Sequence, residues 1–425
     1  MVDMNQNDLK TMQTLIRLVS AGARKENVSN LSVDWKAVLP LAAEQQVVPL
    51  VACALLYSPG LECPDQLREY LLNAMRAESS ANMIRRQRIM HLLQEMKAAG
   101  LDAKVIKGYA VSGCYAHPEC RGSVDTDILI DAQKEEKAIS FLESDGFRID
   151  PRAATSNHTV CQHKKYGMVE LHVSLYGELV RDNWFQMLDT RAMEQEPALL
   201  ADDFYTLGPT DHLIFLTLHM VKHFILEGLT LRMMLDIALY LVRYKQKIDT
   251  VRYWATLEKL HYDKLVSGVL WNMISFGGFG EEDFPGLSDK RPEQMMLILS
   301  DLVQGGYMGV KQKSERLESG MEYNHQLMRK QKSALQYRLH MLGWKIKSGT
   351  KYMFPSVMML QKLYPVLKKV PVLMPLLWLW QLVSFPIKKI RSGVLKRDVR
   401  SGNSTKTKVT EERIAMFSEL GMLDK

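Results

Sequence analysis

Arg121-Gly122-Ser123-Val124-Asp125-Thr126-Asp127-Ile128-Leu129-Ile130 is the stretch on which the reading of this chain turns. It follows Val105-Ile106-Lys107-Gly108, a hydrophobic run that ends in Lys-Gly. Both runs have strand character, and on a β-strand residues i and i+2 point to the same face. Asp125 and Asp127 are therefore expected to aim two carboxylates at one point, with Thr126 and Ile128 turned to the core. Two converging hard oxygen donors suit Mg²⁺, which takes one or two carboxylates and completes its shell with phosphate oxygens and water. Alone, such a pair is common and reads more readily as a solvated acidic strand end.

A second alternating segment, Met168-Val169-Glu170-Leu171-His172-Val173, changes that balance. Val169, Leu171 and Val173 face one way, and Met168, Glu170 and His172 the other. On a neighbouring strand, Glu170 would stand beside the aspartates. Three carboxylates at one place repel each other unless a divalent cation neutralises them. His172 shares the face of Glu170, either beside the metal or as a structural histidine. Gly108, at a strand-to-helix junction, permits close backbone approach to an anion, and the helix that follows offers unpaired N–H groups. Lys107 and Arg121 add positive charge suited to a triphosphate.

These residues carry a resemblance. The strand-ending glycine, the helix after it and the Arg-x-x-x-Asp-x-Asp strand resemble the core of the polymerase-β-type nucleotidyltransferase superfamily. More narrowly, the chain resembles a bacterial family of uncharacterised nucleotidyltransferases. The matching features are Lys107-Gly108, the segment from Arg121 to Asp127, and Glu170-Leu171-His172. A later helix with His219, Lys222 and His223, followed by Leu235-Asp236-Ile237, also fits, so the likeness spans residues 40–245. The chain departs from the wider superfamily in placing Tyr109 directly after the motif glycine.

The resemblance implies an α+β fold: a small mixed nucleotidyltransferase sheet with flanking helices, preceded and followed by helical regions. It implies a magnesium-dependent enzyme that transfers NMP from an NTP, with ATP the first expectation, and releases pyrophosphate. Asp125, Asp127 and Glu170 would hold two Mg²⁺ ions, while Lys107, Gly108 and Arg121 would bind the nucleotide. The acceptor is open: a sugar, a small metabolite, a protein side chain or an RNA end. Two other readings stand beside it, a related phosphotransferase and a non-catalytic, nucleotide-sensing scaffold at a membrane.

At 425 residues the chain can bury a large core, and 47% hydrophobic with 24% charged residues is ordinary for a globular protein. Five cysteines without paired spacing point to a reducing compartment rather than a disulfide framework. Met1 to Lys10 is polar and lacks the form of a signal peptide, so a cytoplasmic protein is expected.

Helices are expected over residues 5–20, 33–45, 47–58 and 65–99, the last ended by Gly100. The mixed core follows: strand 103–107, helix 109–116, strand 124–131, helix 133–144, and strands at 147–150, 158–164 and 167–174. Helices at 209–223 and 230–245, and one ending near 304, complete the expectation before a glycine-rich boundary at 305–309. The division that results is an N-terminal helical region 1–100, an α/β core 101–205, a helical domain 206–308 and a basic module 309–425. His219 and His223 lie four residues apart, a spacing that can bind zinc, but a third ligand is not evident. With Lys222 and Asp236 they are expected to pack on the core or touch the nucleotide from a helical lid.

The net charge of +7 is uneven, because Arg329 to Arg400 holds sixteen Lys or Arg and one acidic residue, Asp398. Within it, Val370 to Ile387 carries no charge over eighteen residues and includes Trp378 and Trp380. Contact with an anionic membrane surface, a buried hairpin and a true span are expected in that order. Nucleic-acid binding is a lesser reading, since no reader motif accompanies the charge. Residues 401–410 read as a linker before a short amphipathic helix at 411–421.

Overall fold

A computed structural model describes residues 6–123, 125–150, 158–176, 187–188, 190–191, 198–200, 204–288, 290, 292–331 and 407–424. Helices α1 (Gln6–Arg24), α2 (Trp35–Glu44), α3 (Val48–Tyr57) and α4 (Asp65–Ala98) open the chain. Asp34 caps α2 by accepting from the Lys36 N–H, and Pro49 sits in the first turn of α3, where its missing N–H costs nothing. The mixed segment follows as β1 (Lys104–Val105), α5 (Tyr109–Ser112), β2 (Asp125–Leu129), α6 (Glu135–Ser144), β3 (Arg148–Asp150), β4 (His158–His163) and β5 (Gly167–His172).

These five strands form one sheet in the order β1-β2-β5-β4-β3. Strands β2 and β5 are parallel and every other pairing is antiparallel. Val105, Ile128, Val169 and Leu171 from the strands, with Ala138 and Leu142 of α6 and Ile89, Leu92 and Met96 of α4, make a compact core under one face of the sheet. The opposite face is where the acidic side chains gather. A hairpin of β6 (Ala198–Leu200) and β7 (Phe204–Thr206), which local patterning does not announce, packs its Phe204 ring 5.7 Å from that of Tyr109.

The helical part continues as α7 (Pro209–Leu226), α8 (Leu231–Tyr244), α9 (Thr250–Lys259), α10 (Asp263–Gly277), α11 (Met295–Gly305), α12 (Lys313–Gln331) and α13 (Lys408–Glu419). Helices α9 and α10 lie where the sequence analysis names no element. Residues from α1, α3, α7 to α12 and α13 belong to one hydrophobic core, from Met12 to Leu423. Described residues from the parts expected as 1–100, 206–308 and 309–425 contribute to this core.

A buried charge cluster locks the last helix into that interior. Asp301 of α11 accepts from Arg316 of α12 at 2.9 Å and also from Arg413 of α13. Arg413 further donates to the Phe224 carbonyl on α7 and lies over the Phe417 ring, 5.1 Å from its centroid. The expected helix at 411–421 is therefore present, begins three residues earlier, and is an integral part of the fold. Among the described residues, no helix is long and apolar enough to cross a membrane. Residues 332–406, including the uncharged segment 370–387 and nearly all of the basic stretch 329–400, lie outside the described residues.

Candidate active site

Register brings the carboxylates together. On the parallel pair β2–β5, Asp125 stands beside Met168, Asp127 beside Glu170 and Leu129 beside His172. Strand β4 adds His158 beside His172. Neighbours across a ladder share a face, so one face of three adjacent strands presents Asp125, Asp127, Glu170, His172 and His158. Asp125, Asp127 and Glu170 each offer an oxygen, and these atoms lie within 4.8 Å of one another. Glu170 with His172 and His158 forms a second such group on the same face. Thr126 and Ile128 are buried beneath, as the alternation predicts.

The two aspartates differ in their surroundings. Asp127 Oδ1 accepts from Lys107 Nζ at 2.6 Å and from His172 Nε2 at 3.0 Å. Burial alone would raise the Asp127 pKa, but Lys107 and His172 outweigh it and hold the carboxyl below its ordinary range. Asp125 has no ion-pair partner among the described residues; burial and then the Asp127 charge push its pKa up. Glu170 lies 3.5 Å from His172 Nε2, and that contact keeps its carboxyl below the usual value despite partial burial. Burial works against the His172 imidazolium, yet Asp127 and Glu170 raise its pKa. His172 Nδ1 is buried and finds no hydrogen-bond partner among the described residues.

Lys107 is placed by backbone on both sides. The Ile106 N–H donates to the Asp127 carbonyl at 3.1 Å. The Ile106 carbonyl accepts from His212 Nε2 at 2.9 Å, which leaves His212 Nδ1 to accept from Tyr240, 3.1 Å away. His212 is fully buried, and burial lowers its pKa to about 4, so it works as a neutral clasp between α7 and the end of β1. The clasp escapes sequence reading because its partner is a backbone carbonyl over a hundred residues away.

Gly108 has φ +60° and ψ −103°, a conformation that L residues avoid. A Cβ there would meet Ser123 Oγ at 2.8 Å, so the junction sits directly against the loop that enters β2. That loop is pinned from two helices, by Arg85 of α4 donating to the Ser123 carbonyl at 2.7 Å and by Arg232 of α8 donating to the Gly122 carbonyl at 3.0 Å. Ser123 Oγ donates to the Asp125 carbonyl at 2.8 Å. Tyr109 is buried against Phe204, so the residue that departs from the wider superfamily belongs to the core and leaves the space at Gly108 clear.

Arg121, expected at the nucleotide, is found paired with an aspartate on α8. Its Nη2 and Nε donate to Asp236 Oδ2 at 2.6 Å and Oδ1 at 3.1 Å, a bidentate and buried pair. Tyr115 donates to the same carboxylate at 2.6 Å. Through these two nitrogens Arg121 ties the start of the β2 loop to α8, while its Nη1 makes a longer contact of 3.4 Å with the Gly122 carbonyl.

Helix α7 borders the site. His219 Nε2 lies 3.1 Å from His223 Nε2, and His223 Nδ1 lies 2.7 Å from Glu227 Oε2. These contacts occupy both imidazoles, and neither residue joins a group of three potential ligands among the described residues. Burial depresses the His219 pKa strongly, with the Lys107 charge adding to the effect. Lys222, on the same helix, has no hydrogen bond or ion pair with any described residue. Its pKa is lowered by partial burial and by Lys107, and it feels the charges of Glu170 and Asp127. Glu227 acts on it more strongly than either of those two carboxylates.

A two-aspartate strand, an in-register glutamate and a Lys-Gly junction on a small mixed sheet define the architecture of a nucleotidyltransferase. A family model described as uncharacterised nucleotidyltransferase matches residues 32–276, more than half of the chain, and the chain belongs to that family. It is an enzyme of the nucleotidyltransferase class. No curated protein and no solved structure matches it.

Proposed function

We propose that the protein transfers NMP from an NTP, ATP first among them, to a nucleophile on an acceptor molecule, with release of pyrophosphate. The observation that carries this reading is the register of Asp127 against Glu170, with Asp125 two residues earlier on the same face. Three oxygen donors of this kind fit Mg²⁺ better than a softer ion. Asp125, Asp127 and Glu170 would hold two such ions, which when bound neutralise charge on the triphosphate and activate the attacking oxygen.

The chain's own groups do the rest. The Gly108 backbone, free of a side chain, lets the phosphates approach the start of α5. Lys107 and Lys222 are the cations available to the β- and γ-phosphates, since Arg121 is held by Asp236. Glu170 is kept ionised by His172, which favours its use as a ligand and weakens it as a proton acceptor. His212 and the Arg121–Asp236 pair keep Lys107 and the β2 loop in register with the carboxylates. The basic stretch 329–400 supports a further proposal of peripheral contact with anionic membranes from the cytoplasmic side.

The test is incubation with Mg²⁺, an NTP labelled in both its α- and γ-phosphates, and cell extract, followed by analysis of small products and labelled macromolecules. Pyrophosphate with α-label on an acceptor is expected. NDP with γ-label on the acceptor would instead make the protein a phosphotransferase built on the same carboxylates. The Asp127→Asn variant serves as the control for label incorporated by the extract itself.

A further inference from the structure

Asp127 Oδ1 is already shared by two nitrogen donors, Lys107 Nζ at 2.6 Å and His172 Nε2 at 3.0 Å. A carboxylate oxygen has two lone pairs, so this oxygen has its full complement. The Lys107 charge is also felt by Asp125 and Glu170. One ammonium thus serves all three carboxylates at once, and its side chain is only 16% exposed. We infer that Lys107 is an exchangeable counter-ion: a divalent cation that binds Asp127 through this oxygen displaces one of its two donors, and the one that leaves is Lys107, which has the arriving triphosphate to move to, while His172 keeps Glu170 as a partner.

The inference rests on the proposed metal-binding role of the carboxylates and adds an order to it. A divalent ion alone has to expel a buried ammonium that gains no new anion, and a buried charge without a partner is costly. Metal bound to NTP brings the phosphates that Lys107 can pair with in exchange. The exchange is local, because Lys107 immediately precedes Gly108, the junction at which the phosphates are proposed to approach. Loading then replaces the single positive charge of the ammonium beside three carboxylates with the double charge of the metal. A purely structural Lys107 would predict no such link between metal and nucleotide. It is a positioning residue by this account, acting on metal through Asp127 and on substrate through the phosphates.

The test measures Mn²⁺ binding to the full-length protein without nucleotide, by electron paramagnetic resonance of the free ion, for wild type, Lys107→Met, Lys107→Gln and Asp127→Asn. Circular dichroism melts accompany each variant, and the two Lys107 replacements differ in packing so that a lesion in one does not decide the outcome. Both Lys107 variants are expected to bind Mn²⁺ roughly tenfold or more tighter than wild type, as removal of a unit charge at this range allows. The same variants are expected to bind a non-hydrolysable NTP analogue more weakly. A structural lesion would lower both affinities together, so opposite directions mark the exchange. Unchanged or weaker Mn²⁺ binding in folded Lys107 variants, with binding lost in Asp127→Asn, would overturn the exchange and leave the carboxylate site standing. Wild-type Mn²⁺ affinity in Asp127→Asn would remove the metal site itself, and the exchange with it.

Discussion

The Lys107 ammonium donates to Asp127 Oδ1 at 2.6 Å, while Asp125, two residues away on the same strand face, has no ion-pair partner among the described residues. The two aspartates are equivalent in catalytic expectation but opposite in their contribution to the fold.

Asp125→Asn removes a carboxylate whose charge is penalised by burial and by Asp127, so its thermal stability should equal or exceed that of wild type. Asp127→Asn leaves Lys107 buried without its partner and should cost roughly 3 kcal/mol, the scale for breaking a buried pair. Both should lose nucleotide transfer by roughly a hundredfold or more, since each removes charge that stabilises the transferring phosphate. Urea melts and a product assay on the two variants check this. Equal stability losses would mean that Lys107 does not pair with Asp127 in solution.

Glu170→Gln should damage activity nearly as much as the aspartate changes, and His172→Ala should be milder. Glu170 offers an oxygen to the carboxylate group, whereas His172 acts through its contacts with Asp127 and Glu170. The rate ratio of the two variants in Mg²⁺ decides the matter. A larger loss for His172→Ala would transfer the leading role to the imidazoles and favour a softer metal.

Gly108→Ala combines a disallowed backbone with a clash against Ser123 Oγ. Backbone strain of this kind costs on the order of 1–3 kcal/mol. The variant should melt lower than wild type and raise the KM for NTP more than any alanine substitution on the exposed face of α6. An unchanged KM would place the phosphates elsewhere.

Acid should weaken the fold partly through His212. Its folded pKa, lowered by burial to about 4, lies beneath the ordinary histidine value, so the unfolded chain binds the extra proton between roughly pH 6.5 and 4. Stability from this group is present above pH 6.5 and declines as pH falls through that window, by on the order of 3 kcal/mol. His212→Gln can still donate to Ile106 and accept from Tyr240 without titrating. Melting temperatures from pH 7.5 to 4.5 should therefore drop less in the variant. Parallel curves would show that His212 does not titrate as buried.

Much of the site was legible because its logic is periodic. Alternation in two short segments suffices to put Asp125, Asp127 and Glu170 on common faces, and only the parallel pairing of β2 with β5 had to be supplied by the fold. Helix α4 ends one residue before its expected limit, since Gly100 terminates it by its own backbone preference. What could not be read were partnerships over long separations. Arg121 pairs with Asp236, and nothing near residue 121 in the chain announces that aspartate. His158 opens an expected strand, but its nearness to His172 depends on the β4–β5 register. The same holds for Arg413 of α13, whose burial against Asp301 depends on a residue more than a hundred positions earlier.

That docking has a consequence for how the enzyme is made. Helix α7, which carries His219, Lys222 and His223 at the edge of the site, has its Phe224 carbonyl satisfied by Arg413 of α13. During synthesis the N-terminal parts of a chain emerge and begin to fold first. Here the interior begun by Met12 is closed by Phe417, Met422 and Leu423, which leave the ribosome long after the carboxylates have found their sheet. A nascent chain still short of α13 holds Asp301 with one arginine instead of two and leaves Phe224 without its cover. Nucleotide transfer should therefore wait until α13 has been made and docked, so the order of translation itself keeps the earlier part of the chain silent.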